Sequence, residues 1–133
     1  MRPNRLDGRW GGWALMLAIL AMSAGCAGSM QSAQGVAVTD INQLTGKWAG
    51  LVTPSGAGQD AIYVTITPDR KLTAAWGSNT AWGTVSLQNG KATYQMEPLE
   101  YEGTMTLYVD GGKKTLIMDD LWLPFYARMT PQQ

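Results

Sequence analysis

VSLQNGKATYQM, residues 85–96, decides how this chain folds. Val85 and Leu87 alternate with Thr84 and Ser86 before Asn89-Gly90; Ala92, Tyr94 and Met96 alternate with Lys91, Thr93 and Gln95 after it. Successive side chains of an extended strand point to opposite faces, so each half carries one apolar and one polar face. Asn-Gly is the pair best suited to a two-residue hairpin turn, because both positions accept positive φ. The stretch therefore predicts two antiparallel strands that share an apolar face.

The same rhythm continues in both directions. Ile62, Val64 and Ile66 alternate with Tyr63, Thr65 and Thr67 before a PDRK turn, and Leu72, Ala74 and Trp76 alternate with Thr73 and Ala75. Met105, Leu107 and Val109 precede a DGG turn, and Leu116 and Met118 follow it. Phe125, Ala127 and Met129 then alternate with Tyr126, Arg128 and Thr130. With residues 47–52 in front, this gives about eight short strands, roughly ten residues apart. Neighbours joined by tight turns pair antiparallel. A one-sided meander of this size exposes two edges and half an apolar face, so it is expected to curl and close. The predicted fold is all-β, a small up-and-down meander or barrel over residues 40–133.

Upstream the composition changes. Arg2, Arg5 and Arg9 precede WGGWALMLAILAM, residues 10–22, an uncharged apolar run of 13 residues. Spanning a bilayer core takes about 20. A basic start, a short apolar run and then small residues is the layout of an export signal. The run ends at Ser23-Ala24-Gly25-Cys26, which holds the only cysteine of the chain. This resembles the lipobox of bacterial lipoproteins, in which the cysteine is lipidated with palmitate-type acyl chains and becomes the new N-terminus. The resemblance implies a signal peptide at 1–25, a lipid attachment at Cys26 and a membrane partner. With Ala27 after the cysteine, it implies an outer-membrane lipoprotein facing the periplasm. Ordinary signal-peptidase cleavage after Ala27-Gly28-Ser29 is the alternative and would remove Cys26. Residues 26–39 read as a flexible tether, AGSMQSAQGVAVT following the cysteine, with an average span of about 20 Å.

DINQLTGKWAG, residues 40–50, allows a short helical turn over 40–44 before the first strand. Gly46-Lys47-Trp48 at that strand's opening resembles the G-x-W signature of lipocalins and other calycins. In that family the Trp packs at the closed end of the barrel and an Arg of the last strand lies across its ring. The resemblance implies that Gly46, Trp48 and Arg128 are structural residues, with a cation–π contact between the last two.

Residues 26–133 carry seven Lys or Arg against nine Asp or Glu, a balance of −2 with no basic cluster, so a nucleic-acid partner is not expected. The chain has no histidine, which excludes Ser-His and Cys-His nucleophile pairs and a His-built zinc site. Glu97, Glu100 and Glu102, and Asp119 with Asp120, read as solvated edges; no enzyme activity, cofactor or metal is expected. Two stretches point to binding. In WGSNTAW, residues 76–82, Trp76 and Trp82 bracket a polar loop and either flank a barrel mouth or cap its core. In DDLWLPF, residues 119–125, Trp122, Leu123 and Phe125 form an apolar run too irregular for a hairpin turn, suited to covering the mouth, touching lipid or docking a partner. Met96, Met105, Met118 and Met129 are expected to face inward. Two function classes follow: a barrel that binds a small apolar or amphipathic molecule through Trp76, Trp82, Trp122 and Phe125, or a solid adaptor whose loops recognise another envelope protein. A small periplasmic inhibitor ranks third.

Overall fold

The computed structural model describes residues 34–54 and 58–133. The expected signal peptide, Cys26 and the start of the tether lie outside the described residues. Among the described residues nine strands form: β1 (Gly35–Val36), β2 (Gly46–Thr53), β3 (Asp60–Ile66), β4 (Lys71–Trp76), β5 (Asn79–Gln88), β6 (Lys91–Glu97), β7 (Tyr101–Asp110), β8 (Lys113–Asp120) and β9 (Tyr126–Pro131). A 3₁₀ turn, Ile41–Gln43, precedes β2. From β2 to β9 each strand pairs antiparallel with the next, and β9 pairs back on β2, so the eight close into an up-and-down barrel. The Asn89-Gly90 turn has φ of 53° and 75°, the doubly positive pair a tight hairpin requires.

The alternation read from the sequence sets which side chains fill the barrel. Val64, Leu72, Val85, Leu107 and Leu116 are buried, as are Met96, Met105, Met118 and Met129. An eight-stranded barrel is just wide enough for its own side chains, and here large ones occupy it. At Gly83 the strand wall itself decides the residue. A Cβ there would lie 1.7 Å from Gln95 O and 2.9 Å from Met96 Cα of β6, so only glycine permits this approach.

The end of the barrel where the chain arrives (the near end) is closed by the 3₁₀ turn. Asp40 caps it by accepting the Asn42 N–H at 2.9 Å, while the Gln43 side chain accepts the Asp40 N–H at 3.0 Å, a reciprocal capping box. Ile41 and Leu44 are buried, and Trp48 Nε1 donates to Leu44 O at 2.8 Å. The expected helical turn and the inward Trp48 are therefore both present, with Gly46 opening β2 at φ 134°.

Two expectations need correction. Arg128 does not cross the Trp48 ring. It is exposed and lies between the buried Ala127 and Met129, in register with Leu51 and Ile117, whereas Trp48 faces inward opposite Pro131. Strand parity sends the two side chains to opposite sides of the wall. Nor does the tether extend to residue 39. β7 pairs with β6 only through Met105, which leaves an edge beyond it, and β1 covers that edge with Gly35 opposite Tyr108 and Val36 opposite Leu107. Val38 is buried and its N–H donates to Gly90 O at 2.9 Å. An unpaired edge and a buriable valine together order this segment.

Candidate functional site

The opposite, far end carries the β4–β5, β6–β7 and β8–β9 connections. Its interior is an aromatic plug. Trp76 meets Phe125 edge-on at a centroid distance of 5.4 Å and Tyr101 at 5.9 Å, and Tyr101 lies 4.8 Å from Phe125. Trp76 and Phe125 are buried at 2% and 1% exposure. Both belong to the core.

Trp82 parts from Trp76. The expected five-residue loop between them is a two-residue turn, Gly77 and Ser78, with Trp76 paired to Asn79. Residues 79–82 already belong to β5. Ala81 takes the inward position and Trp82 the outward one, so the indoles sit on opposite sides of the wall. Trp82 is 55% exposed beside an outer groove of about 390 Å³, whose edges include Lys71, Thr73, Gln95 and Glu97.

Trp122 is the most exposed large apolar side chain described, at 82%, and Leu121 and Leu123 beside it are exposed as well. The backbone under them is held by one carboxylate. Asp120 Oδ1 accepts the N–H groups of Trp122 and Leu123, both at 2.7 Å, and Oδ2 accepts the Glu102 N–H at 3.0 Å. Leu121 N–H donates to Glu102 O at 2.9 Å, and Phe125 N–H donates to Leu123 O at 2.7 Å. Phe125 then enters the plug. The loop is thus fixed at both feet and offers its apolar tip to the outside. The same end of the barrel carries Asp60, Glu97, Glu100, Glu102, Asp119 and Asp120, with no Lys or Arg among the described residues there.

Sequence reasoning found Trp122 but read Asp120 as a solvated acid. The available signal was its position: an Asp just before a loop accepts N–H groups two and three residues on, as in an Asx turn. A second feature was also missed. The Tyr94 hydroxyl is buried with no hydrogen-bond partner among the described residues. Burial, and then the charges of Asp120 and Asp119, hold its phenol above the usual tyrosine range. No protein-family model, no curated protein and no solved structure matches the chain.

Proposed function

We propose that this chain is a non-enzymatic lipoprotein of the cell envelope, attached through Cys26 to the periplasmic side of the outer membrane, whose barrel serves as an adaptor. The β8–β9 loop places Trp122, with Leu121 and Leu123, in an apolar pocket of another envelope protein. The partner's pocket is rimmed by Lys or Arg, complementary to the carboxylates around the tip. The observation that carries this reading is the Trp122 loop on its Asp120 support: an exposed indole on backbone already ordered, which docks without the entropy cost of ordering a loop. The location at the membrane rests on the lipobox-like SAGC and the apolar run before it.

The test is a photo-crosslinking residue at Leu123 of the full chain in cells. A discrete protein adduct that disappears with Trp122→Ala supports the adaptor. No adduct, or one indifferent to Trp122, overturns it.

One observation favours a second reading, a barrel that takes a small amphipathic molecule. The unpartnered Tyr94 hydroxyl would hold the polar group of such a molecule among the inward methionines. Native mass spectrometry of the purified protein tests it, through an added mass that is lost with Tyr94→Phe. The buried packing of Trp76, Phe125 and the methionines favours the adaptor over this alternative.

A further inference from the structure

The charges of this barrel are sorted by end. Lys47, Arg70, Lys91, Lys113 and Lys114 stand at the start of β2 or at the β3–β4, β5–β6 and β7–β8 turns, all at the near end and all exposed, while Lys71, first in β4, reaches the outer groove that Trp82 and Glu97 also line. Three carboxylates share that end, Asp40, Asp69 and Asp110, and Asp69 is paired with Lys71 at 3.4 Å. The far end holds six carboxylates and no described cation, and Arg128 lies in the wall between. Strand alternation does not impose this sorting, because parity decides inside from outside and not one end from the other. Collecting like charges at one end also works against stability. A surface of opposite charge accounts for it.

The chain reaches the barrel at the same end. β1 lies on the part of β7 beyond β6, and Val38 is bonded to the β5–β6 turn. From Cys26 to Gly35 there are nine Cα steps. Even fully extended, such a segment reaches at most about 32 Å. A lipid at Cys26 therefore holds the near end within about that distance of the membrane.

We infer that the near end docks on anionic phospholipid headgroups through Lys91, Lys113 and Lys114, with Lys47 and Arg70 alongside. The Trp122 tip then points away from the leaflet that carries the anchor. The orientation rests on the lipid anchor proposed above; the electrostatic contact rests on the barrel alone. It is a headgroup contact and is sensitive to salt, since charges near an anionic leaflet act only within a Debye length.

The test is lysine acetylation footprinting by mass spectrometry. The protein, purified as cells make it, is reconstituted in vesicles of phosphatidylcholine alone or of phosphatidylglycerol mixed with phosphatidylcholine. Labelling of Lys91, Lys113 and Lys114 is expected to fall about threefold or more in the anionic vesicles, the scale a few cations near such a surface produce. It should recover at about 1 M salt, where the Debye length is about 3 Å. Equal labelling in the two vesicles overturns the inference, as does protection of Trp122 from oxidation by the vesicles in place of the lysines. The N-terminal peptide in the same spectra shows whether Cys26 is acylated. Protected lysines without acylation support the docking and reject the anchor. Acylation with unprotected lysines rejects the docking and supports the anchor.

Discussion

Asp120 Oδ1 accepts the backbone N–H of Trp122 at 2.7 Å, while the indole of Trp122 stays 82% exposed. The polar part of the residue is fixed and its apolar part is left unused by the fold. Leu123 N–H reaches the same oxygen, and Phe125 ties the far side of the loop into the core. Folding alone gives no reason to present an indole in this way, whereas recognition does.

Replacing Asp120 separates support from tip. Asp120→Ala removes the acceptor of three N–H groups, at a cost of about 1–3 kcal/mol. Hydrogen exchange should show the amides of Glu102, Trp122 and Leu123 losing protection while those of β2 and β3 keep theirs. Unchanged exchange at these amides contradicts the assigned role.

Tyr94→Phe is expected to stabilise the barrel by about 1 kcal/mol, because it removes a buried hydroxyl that has no partner. The phenol titrates higher in the folded barrel than in the unfolded chain, where its value is about 10. Above pH 10 the unfolded chain has lost a proton that the folded one retains. Stability therefore falls as pH rises through that window, by at most about 1.4 kcal/mol per pH unit. Urea midpoints between about pH 9 and 11, roughly the window of tyrosine titration, should drop more steeply for the natural chain than for Tyr94→Phe.

Trp48 and Arg128 should behave independently. Trp48→Ala empties a buried site and breaks the Leu44 hydrogen bond, at a cost of about 3–5 kcal/mol. Arg128→Ala changes an exposed wall residue and should stay within about 0.5 kcal/mol. A double-mutant cycle by chemical denaturation should give no coupling; a large coupling energy would restore the cation–π contact.

Gly83→Ala forces a Cβ into the β6 backbone and should cost about 3 kcal/mol or more. Gly58→Ala meets nothing within 4 Å and serves as the control, within about 0.5 kcal/mol. Thermal melts of the two variants measure the difference.

Much of this fold is visible in the sequence because a barrel with a dry inside and a wet outside writes its parity into every strand. Ala92, Tyr94 and Met96 show it in one line. The same parity already placed Arg128 on the outside, but the family resemblance overrode it. The residues between Trp76 and Trp82 misled for a related reason. Outward strand positions are as polar as loops, so Asn79 and Thr80 looked like turn when they are strand. β1 was hidden because two small residues carry no period, and its partner is an edge that exists only after the barrel closes. At the candidate site Trp122 stood out by breaking the alternation. Asp120 did not, since its role depends on N–H groups whose direction only the folded loop sets.

In the proposed adaptor role, a protein partner in the envelope covers the Trp122 tip. Carbene footprinting of the full chain, purified and in intact cells, measures this directly. Labelling of Leu121, Trp122 and Leu123 is expected to fall severalfold in cells, and Trp122→Ala to restore labelling of the two leucines while the melting temperature stays unchanged. Equal labelling of the tip in cells and in the purified protein would contradict it.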